Sequence, residues 1–333
     1  MCYYRPVPRT DPARPADALP LAGGWCWFDT VEVLSRHAPP RLIPARDLPE
    51  DVGHRLTAPR APLAGLAMDT PRLMGILNVT PDSFSDGGRH FAPDTALAHA
   101  TAMSGAGADI LDVGGESTRP GAAPVPIDEE IARTAPVIAA LRAAVPTPIS
   151  IDTRKAAVAD AGHHAGATLV NDVSGFTFDP DLAPFAAAHA LPVCIMHAQG
   201  TPETMQRDPR YDDVLLDVYD WLAERIEALT ALGIPRERIA VDPGIGFGKT
   251  QAHNLRLLQG LALFHGLGCA ILLGASRKRF IGDLTGTPVA ADRVPGSLAV
   301  SVMAVAQGVQ FQRVHDVAET RAALDMWGAV QAV

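Results

Sequence analysis

Residues 73–88, LMGILNVTPDSFSDGG, join a continuous apolar run to a polar loop. The run that stops at Asn78 is short and shows no polar alternation, which is typical of a strand covered on both faces. The residues beyond it cannot belong to a core, because Pro81, Gly87 and Gly88 shape a loop whose other side chains donate or accept hydrogen bonds. The junction therefore predicts a buried strand that delivers a polar loop to the edge of a sheet.

The same arrangement, an apolar run that stops at a polar residue, recurs along the chain. The eight runs end at Asn78, Thr118, Asp152, Asn171, His197, Asp242, Arg277 and His315. Amphipathic patterns between them predict helices over residues 94–106, 127–144, 155–164, 211–233, 251–260, 292–307 and 316–328. Eight strand–helix units of about 260 residues in all predict an α/β fold of the (β/α)8 TIM barrel type. A doubly wound sheet is the alternative, but it normally carries a GxGxxG after its first strand.

The first 68 residues differ in composition from the rest of the chain. Their many prolines exclude long helices. The cluster of Trp25, Trp27 and Phe28 is nevertheless too apolar to be left in water. We expect an N-terminal extension over residues 1–68, either partly packed or disordered, followed by the barrel domain over residues 69–333.

Composition limits the classes of function. With 333 residues and 47% hydrophobic content, the chain can bury a large core. A net charge of -9 and a pI of 5.6 argue against a nucleic-acid partner. Four cysteines without a CxxC pair indicate a reduced, cytoplasmic setting. No apolar stretch approaches about 18 residues, so neither secretion nor a membrane partner is expected.

In a barrel, the carboxyl ends of all strands open onto one face, so the residues that end the runs are predicted to converge there. Each of them alone could be a helix cap or a turn residue. Together, Asp152, Asn171 and Asp242 offer two carboxylates and an amide, which suit a flat aminopyrimidinone ring.

Basic residues near the last two strands predict an anion site. Arg313 and His315 alternate on the last strand and so share a face, close to Asn78 on the first strand. We interpret this trio as a diphosphate grip, although Arg313 could merely pair with a carboxylate. Lys278 lies between Arg277 and Arg279 at a helix start, where the positive dipole disfavours cations unless an anion binds there.

Two long Gly-, Ser- and Pro-rich loops are predicted to act as mobile lids over residues 79–90 and 115–124. They carry Asp82, Asp86 and Arg119, for which no buried partner is evident. Glu116, at the start of the second loop, could be structural.

The motifs GILNVTPDSFSDGG, DVGGESTRPGA, DPGIGFGK, GASRKRFIG and RVHDV, in this order, resemble those of the dihydropteroate synthase family. The resemblance runs from about residue 72 to residue 328. It implies a transferase of folate biosynthesis, with a TIM barrel, that joins 6-hydroxymethyl-7,8-dihydropterin diphosphate to 4-aminobenzoate. It also implies Mg2+ as cofactor, a homodimer and inhibition by sulfonamides.

The resemblance also implies roles for single residues. The pterin would be held by Asp152, Asn171, Met196, Asp242 and Lys278. The diphosphate and its Mg2+ would be bound by Asn78, Arg313 and His315. The 4-aminobenzoate would lie beside Thr118, Arg119, Pro120, Phe247, Lys278 and Arg279. Asp86 would stabilise the positive charge that develops at the methylene carbon of the pterin.

Two other functions remain open on the sequence alone. A corrinoid-type pterin-dependent methyltransferase would share the barrel and the pterin contacts but would not need a diphosphate grip. A catalytically silent paralogue would bind pterins or partners without turnover. The sequence departs from the family pattern in its first 68 residues and in Gln310 and Gln312, which stand where apolar residues are expected and could loosen the last strand.

Overall fold

The computed structural model describes residues 2–80, 93–117, 122–200 and 204–331. The chain begins with a small unit of short strands and one helix. These elements are β1 (Tyr3–Pro6), β2 (Leu19–Pro20), β3 (Trp27–Phe28), β4 (Thr30–Leu34), β5 (Arg41–Pro44) and α1 (Glu50–Thr57). Antiparallel pairing gives one sheet in the order β1-β4-β5 and a second pair, β2-β3. Phe28, Val31 and Leu56 are fully buried in a core that belongs to this unit.

The N-terminal unit is bonded to the rest of the chain at several points. Trp25 donates its indole N–H to the Val305 carbonyl at 2.8 Å, and Arg60 donates to the His265 carbonyl at 2.9 Å. Leu63 and Met68 belong to an apolar cluster inside the barrel. Because this cluster crosses the expected boundary, the division at residue 68 stays a prediction.

Eight parallel strands close into a barrel, which confirms the predicted fold. The strands are β6 (Arg72–Asn78), β7 (Ile110–Gly114), β8 (Ile149–Asp152), β9 (Leu169–Asp172), β10 (Val193–Met196), β11 (Ile239–Asp242), β12 (Ala270–Leu273) and β13 (Phe311–Val314). Each strand pairs with the next, and β13 pairs with β6 to close the ring. Each apolar run of the sequence has therefore become one strand.

Helices surround the barrel, as expected for this fold. They are α2 (Pro93–Gly105), α3 (Ile127–Ala144), α4 (Ala156–Ala165), α5 (Leu182–Ala188), α6 (Val214–Ala231), α7 (Gln251–Gln259), α8 (Arg279–Thr285), α9 (Val294–Val305) and α10 (Val317–Gln331). The longest predicted helix begins three residues late, because Asp213 caps it by accepting the N–H groups of Leu215 and Leu216. The sequence did not indicate α5 and indicated α8 only by its start near Lys278, and each of these helices has only seven residues.

Alternation along the strands builds two layers inside the barrel. The lower layer is apolar and contains Met74, Ile110, Leu169, Cys194, Ala240, Ala270, Leu272 and Phe311. Two residues further along their strands, the same face carries Asp112, Asn171, Asp242 and Arg313. The fold therefore places polar side chains directly above an apolar floor, at the carboxyl end of the barrel.

Gln310 and Gln312 are both buried, and Gln310 strengthens the strand pairing that it was expected to loosen. Its side-chain oxygen accepts the Ile271 N–H at 2.9 Å, which adds a hydrogen bond between β12 and the segment before β13. Gln312 donates to the Val309 carbonyl over a longer 3.5 Å. The two glutamines therefore differ in what they contribute to the barrel.

Replacing Gln310 by methionine should lower the free energy of unfolding by about 1–3 kcal/mol, because the buried Ile271 N–H loses its acceptor. Gln312→Met is the matched control and should cost less, since its hydrogen bond is long. Urea denaturation of both variants measures the difference. Equal losses would mean that the bond to Ile271 is not the stabilising contact.

Among the described residues, none of the helices combines the length and apolar character needed to cross a membrane.

Candidate active site

Arg313 lies at the centre of a buried group of acidic and amide side chains. Its guanidinium donates to Asp112 Oδ2 at 2.6 Å and to Asp152 Oδ2 at 2.7 Å. Asn171 donates its amide to the same Asp112 oxygen at 3.0 Å. Strands β7, β8, β9 and β13 each supply one of these four residues. The barrel has thus brought together side chains from distant parts of the sequence.

Asp112 is the member of this group that the sequence analysis missed. It is fully buried, and its Oδ1 atom has no hydrogen-bond partner within the described residues. Leaving such an acceptor unpaired costs about 1–3 kcal/mol, so a ligand N–H donor would be bound favourably there. Its sequence signal is weak because Asp112 lies inside a strand, whereas the apolar runs point to the residues at their ends.

Asp242 and Lys278 are two further ionisable residues at the same end of the barrel, and they interact electrostatically. Asp242 accepts the Gly244 N–H at 2.7 Å. Burial raises the pKa of Asp242, and the positive charge of Lys278 opposes this. Lys278 donates to the Ile245 carbonyl, and its Nζ lies 4.2 Å from the centroid of the Phe247 ring. Burial lowers the pKa of Lys278 to about 7 despite the attraction of Asp242.

The electrostatics of Asp152 follow from its neighbours. Burial raises its pKa, the charge of Arg313 opposes the increase, and Asp112 adds to it. Asp152 also pairs in register with Asn171 and with Gly114 on its two sides. A ligand that donates a hydrogen bond to Asp152 favours its charged form, and a ligand without such a donor favours its protonated form.

The residues of the expected diphosphate grip lie on neighbouring strands. Asn78 ends β6, and His315 directly follows β13, which pairs with β6. Ser276 Oγ lies 3.2 Å from the His315 backbone nitrogen and 3.1 Å from its Nδ1. Arg313 is paired with carboxylates here, so its contact with a diphosphate stays a prediction.

Several expected site residues lie outside the described residues. These are Asp82, Asp86, Thr118, Arg119 and Pro120, which belong to residues 81–90 of the first predicted lid and 118–121 of the second. The start of the second loop is described, and Glu116 is held there by Lys155 Nζ at 2.6 Å and by the Val125 N–H at 2.9 Å. These contacts agree with a structural role for Glu116.

Three other candidates have contacts outside the Arg313 group. His197 Nδ1 lies 2.9 Å from Lys249 Nζ, a residue that the sequence analysis did not select. Arg277 pairs with Asp316, so its charge at the start of α8 is already compensated. Arg279 is exposed and lies 3.5 Å from Asp283. A fourth candidate, Met196, is buried and pairs in register with Asp242 on β11.

The fold and the site define an enzyme of the pterin-binding class. The family model described as pterin binding enzyme matches residues 74–315, which include nearly the whole barrel. The N-terminal unit precedes this match.

Individual relatives define the class more closely. The chain is 47% identical over 255 residues to the dihydropteroate synthase of Escherichia coli strain K12, covering 77% of this chain and 90% of that enzyme. It therefore belongs to the dihydropteroate synthase family. This confirms the family resemblance and the transferase class predicted from the sequence.

Solved structures agree with this assignment. The Yersinia pestis dihydropteroate synthase in a sulfonamide drug complex superposes with a TM-score of 0.78 at 46% identity, covering 82% of this chain and 100% of that one. The Xanthomonas albilineans enzyme with 4-aminobenzoic acid gives a TM-score of 0.78 at 47% identity, covering 83% and 99%. About a fifth of the present chain thus has no counterpart in either structure.

Proposed function

We propose that this protein condenses 6-hydroxymethyl-7,8-dihydropterin diphosphate with 4-aminobenzoate, giving 7,8-dihydropteroate and diphosphate. The observation that carries the proposal is the buried, unpartnered Oδ1 of Asp112 beside Asn171 and Asp152. A flat ring with N–H and amino donors would pair with these acceptors above the apolar floor. Asp242 and Lys278 would bind the same ring from the opposite strands, and Met196 would pack against it.

The second substrate would bind beside the Phe247 ring. In this proposal Phe247, Lys278 and Arg279 border the 4-aminobenzoate together with Thr118, Arg119 and Pro120 of the second loop. The arylamine nitrogen is neutral at physiological pH and attacks the exocyclic methylene carbon directly. The C–O bond to diphosphate breaks and leaves positive charge on the carbon, the new C–N bond then forms, and the nitrogen loses its proton to solvent. Asp86 would stabilise the positive charge on the carbon.

The diphosphate would be held by Arg313, His315 and a Mg2+ ion. Across the described ranges, no three His, Cys, Asp or Glu side chains are grouped to hold a metal by themselves. Asn78 offers one amide oxygen at the end of β6, and Mg2+ is often bound by one or two protein oxygens together with substrate phosphates and water. The residues therefore fit an ion that arrives with the diphosphate. When bound, it would neutralise charge on the leaving group.

The proposed function is tested by measuring diphosphate release from the pterin substrate with Mg2+, with and without 4-aminobenzoate. Release should depend on 4-aminobenzoate and should equal the amount of dihydropteroate formed. Pterin binding without release would instead favour a methyltransferase or a silent paralogue.

Inhibition by sulfonamides should be competitive with 4-aminobenzoate, because both are arylamines that carry an anionic group on the opposite side of the ring. The pocket walls proposed here, Phe247 and Lys278, should contact either ligand. Steady-state inhibition at several 4-aminobenzoate concentrations measures this. A non-competitive pattern would place the arylamine site elsewhere.

We also propose a cytoplasmic homodimer that uses α9 and α10. Met303 and Met326 are 51% and 65% exposed on these adjacent helices, an apolar surface that a second copy could cover. The four free cysteines suit a reducing compartment. Sedimentation at micromolar concentration tests the dimer, and a monomer alone would contradict it.

A further inference from the structure

The loop between β11 and α7, residues 243–250, is held by hydrogen bonds to its backbone carbonyls. Four successive carbonyls, those of Ile245, Gly246, Phe247 and Gly248, accept from Lys278, Gln206, Lys249 and Tyr211 respectively. A separate side chain thus fixes each peptide group around Phe247. The loop is therefore built to keep one conformation.

Lys249 makes the most buried of these contacts. Only 3% of the residue is exposed, and its Nζ lies 3.0 Å from the Phe247 carbonyl oxygen. The same nitrogen lies 2.9 Å from His197 Nδ1 and 3.3 Å from the His197 carbonyl oxygen. A lysine ammonium has three N–H donors, and these three acceptors match them. Lys249 therefore ties the loop to the residue that follows β10.

The backbone of the loop lies very close to the backbone of His197 and Gln199. A Cβ atom on Gly244 would lie 1.9 Å from the His197 carbonyl oxygen, and Gly244 has a φ of +69°. A Cβ atom on Gly248 would lie 2.6 Å from the Gln199 carbonyl oxygen. Only glycine fits these positions. The loop and the segment that follows β10 are thus in close backbone contact at the point where Lys249 joins them.

We propose that Lys249 is a positioning residue for the arylamine site. By binding the Phe247 carbonyl and His197 together, it sets the position of the Phe247 ring against Lys278. This inference rests on the proposed function, in which Phe247 is a wall of the 4-aminobenzoate pocket. The pterin contacts of Asp112, Asp152 and Asn171 come from other strands, whereas Asp242 and Lys278 interact electrostatically with Lys249, so loss of Lys249 should weaken pterin binding much less than 4-aminobenzoate binding.

The charge of Lys249 links this role to pH. Burial lowers its pKa well below the ordinary value, Asp242 opposes this, and Lys278 adds to it. Burial and the charge of Lys249 lower the pKa of His197 to about 2, so His197 is a neutral acceptor. The other neighbours that face this group are His253, whose pKa is lowered, and Tyr211, whose pKa is raised by burial. When Lys249 loses its proton, two N–H donors remain for three acceptors, and the loop is held less tightly.

The test compares wild-type enzyme with Lys249→Met and Lys249→Arg. In Lys249→Met, the KM for 4-aminobenzoate should rise by about tenfold or more, whereas kcat at saturation should stay within about twofold and the Kd for the pterin substrate should change much less than that KM. In the wild type, that KM should increase with pH as Lys249 deprotonates. Lys249→Arg keeps its proton, so its KM should not follow this increase. Lys278 is present in all three proteins, so the comparison isolates Lys249.

Arg256→Met, a change at a partly exposed residue on α7, is the matched control and should alter none of these values. A wild-type enzyme that forms no dihydropteroate would refute the proposed function itself. If the wild type turns over, equal changes in both substrates for Lys249→Met would overturn the positioning role. The positioning role would also be overturned if the KM for 4-aminobenzoate had the same pH dependence in wild type and in Lys249→Arg. This comparison holds even if Lys249→Met fails to fold.

Discussion

Arg313→Met is expected to weaken binding of the pterin diphosphate by roughly one to two powers of ten, while binding of a pterin without phosphates weakens less. The variant loses a charged donor to the diphosphate. It also leaves Asp112 and Asp152 without their positively charged partner, and Asp152, whose pKa burial already raises, should then take up a proton. Removing one partner from a buried ion pair typically costs about 3–5 kcal/mol, so the variant should also be less stable.

Calorimetry with both pterin ligands, together with urea denaturation, measures the two effects separately. Arg277→Met is the matched control, since Arg277 also pairs with a carboxylate, that of Asp316, but lies outside the acidic group. It should lower stability without changing the preference for the diphosphate ligand. Equal losses for both ligands in Arg313→Met would mean that Arg313 does not contact the diphosphate.

The architecture was predictable because of the strong pattern in the barrel strands. Strands buried on both faces show continuous apolar runs, and such runs are visible without any knowledge of their partners. The short helix α5 gave no such signal and α8 was indicated only at its start, because seven residues hold fewer than two repeats of an amphipathic pattern. The N-terminal strands were also hidden, because their pairing and their own small core depend on contacts between distant residues.

The candidate site was predictable only in part. Asp152, Asn171 and Asp242 end their runs, so their convergence followed from the barrel topology alone. Asp112 lies two residues above the apolar floor on β7, and only the register between strands reveals that it faces Arg313. The hydrogen bond between Lys249 and His197 joins positions 52 residues apart, and no local sequence pattern indicates it. Sequence periodicity therefore finds the rim of the site but misses pairings across it.

Lys278→Met is expected to stabilise the fold and to abolish most of the activity. Burial lowers the pKa of Lys278 from 10.5 to about 7 in the folded protein, even with the attraction of Asp242 included. Above the unfolded pKa the amine is neutral in both states and costs nothing. As the pH falls through the interval between the two pKa values, the unfolded chain binds a proton that the folded protein does not, and wild-type stability decreases. Below the folded pKa the full cost is present.

Methionine removes this charge and fills a similar volume, so the gain in unfolding free energy should be a few kcal/mol near pH 6 and should vanish near pH 11. Activity should fall at every pH, because the variant lacks the contacts to the Ile245 carbonyl and the Phe247 ring and the electrostatic attraction to Asp242. Urea denaturation across this pH range measures the gain, and Arg279→Met, an exposed change at the next position, should show none. A variant that is equally destabilised at both ends of the range would show that the charge of Lys278 is fully compensated in the folded protein. The prediction that Lys278 lowers stability while it supports activity would then be wrong.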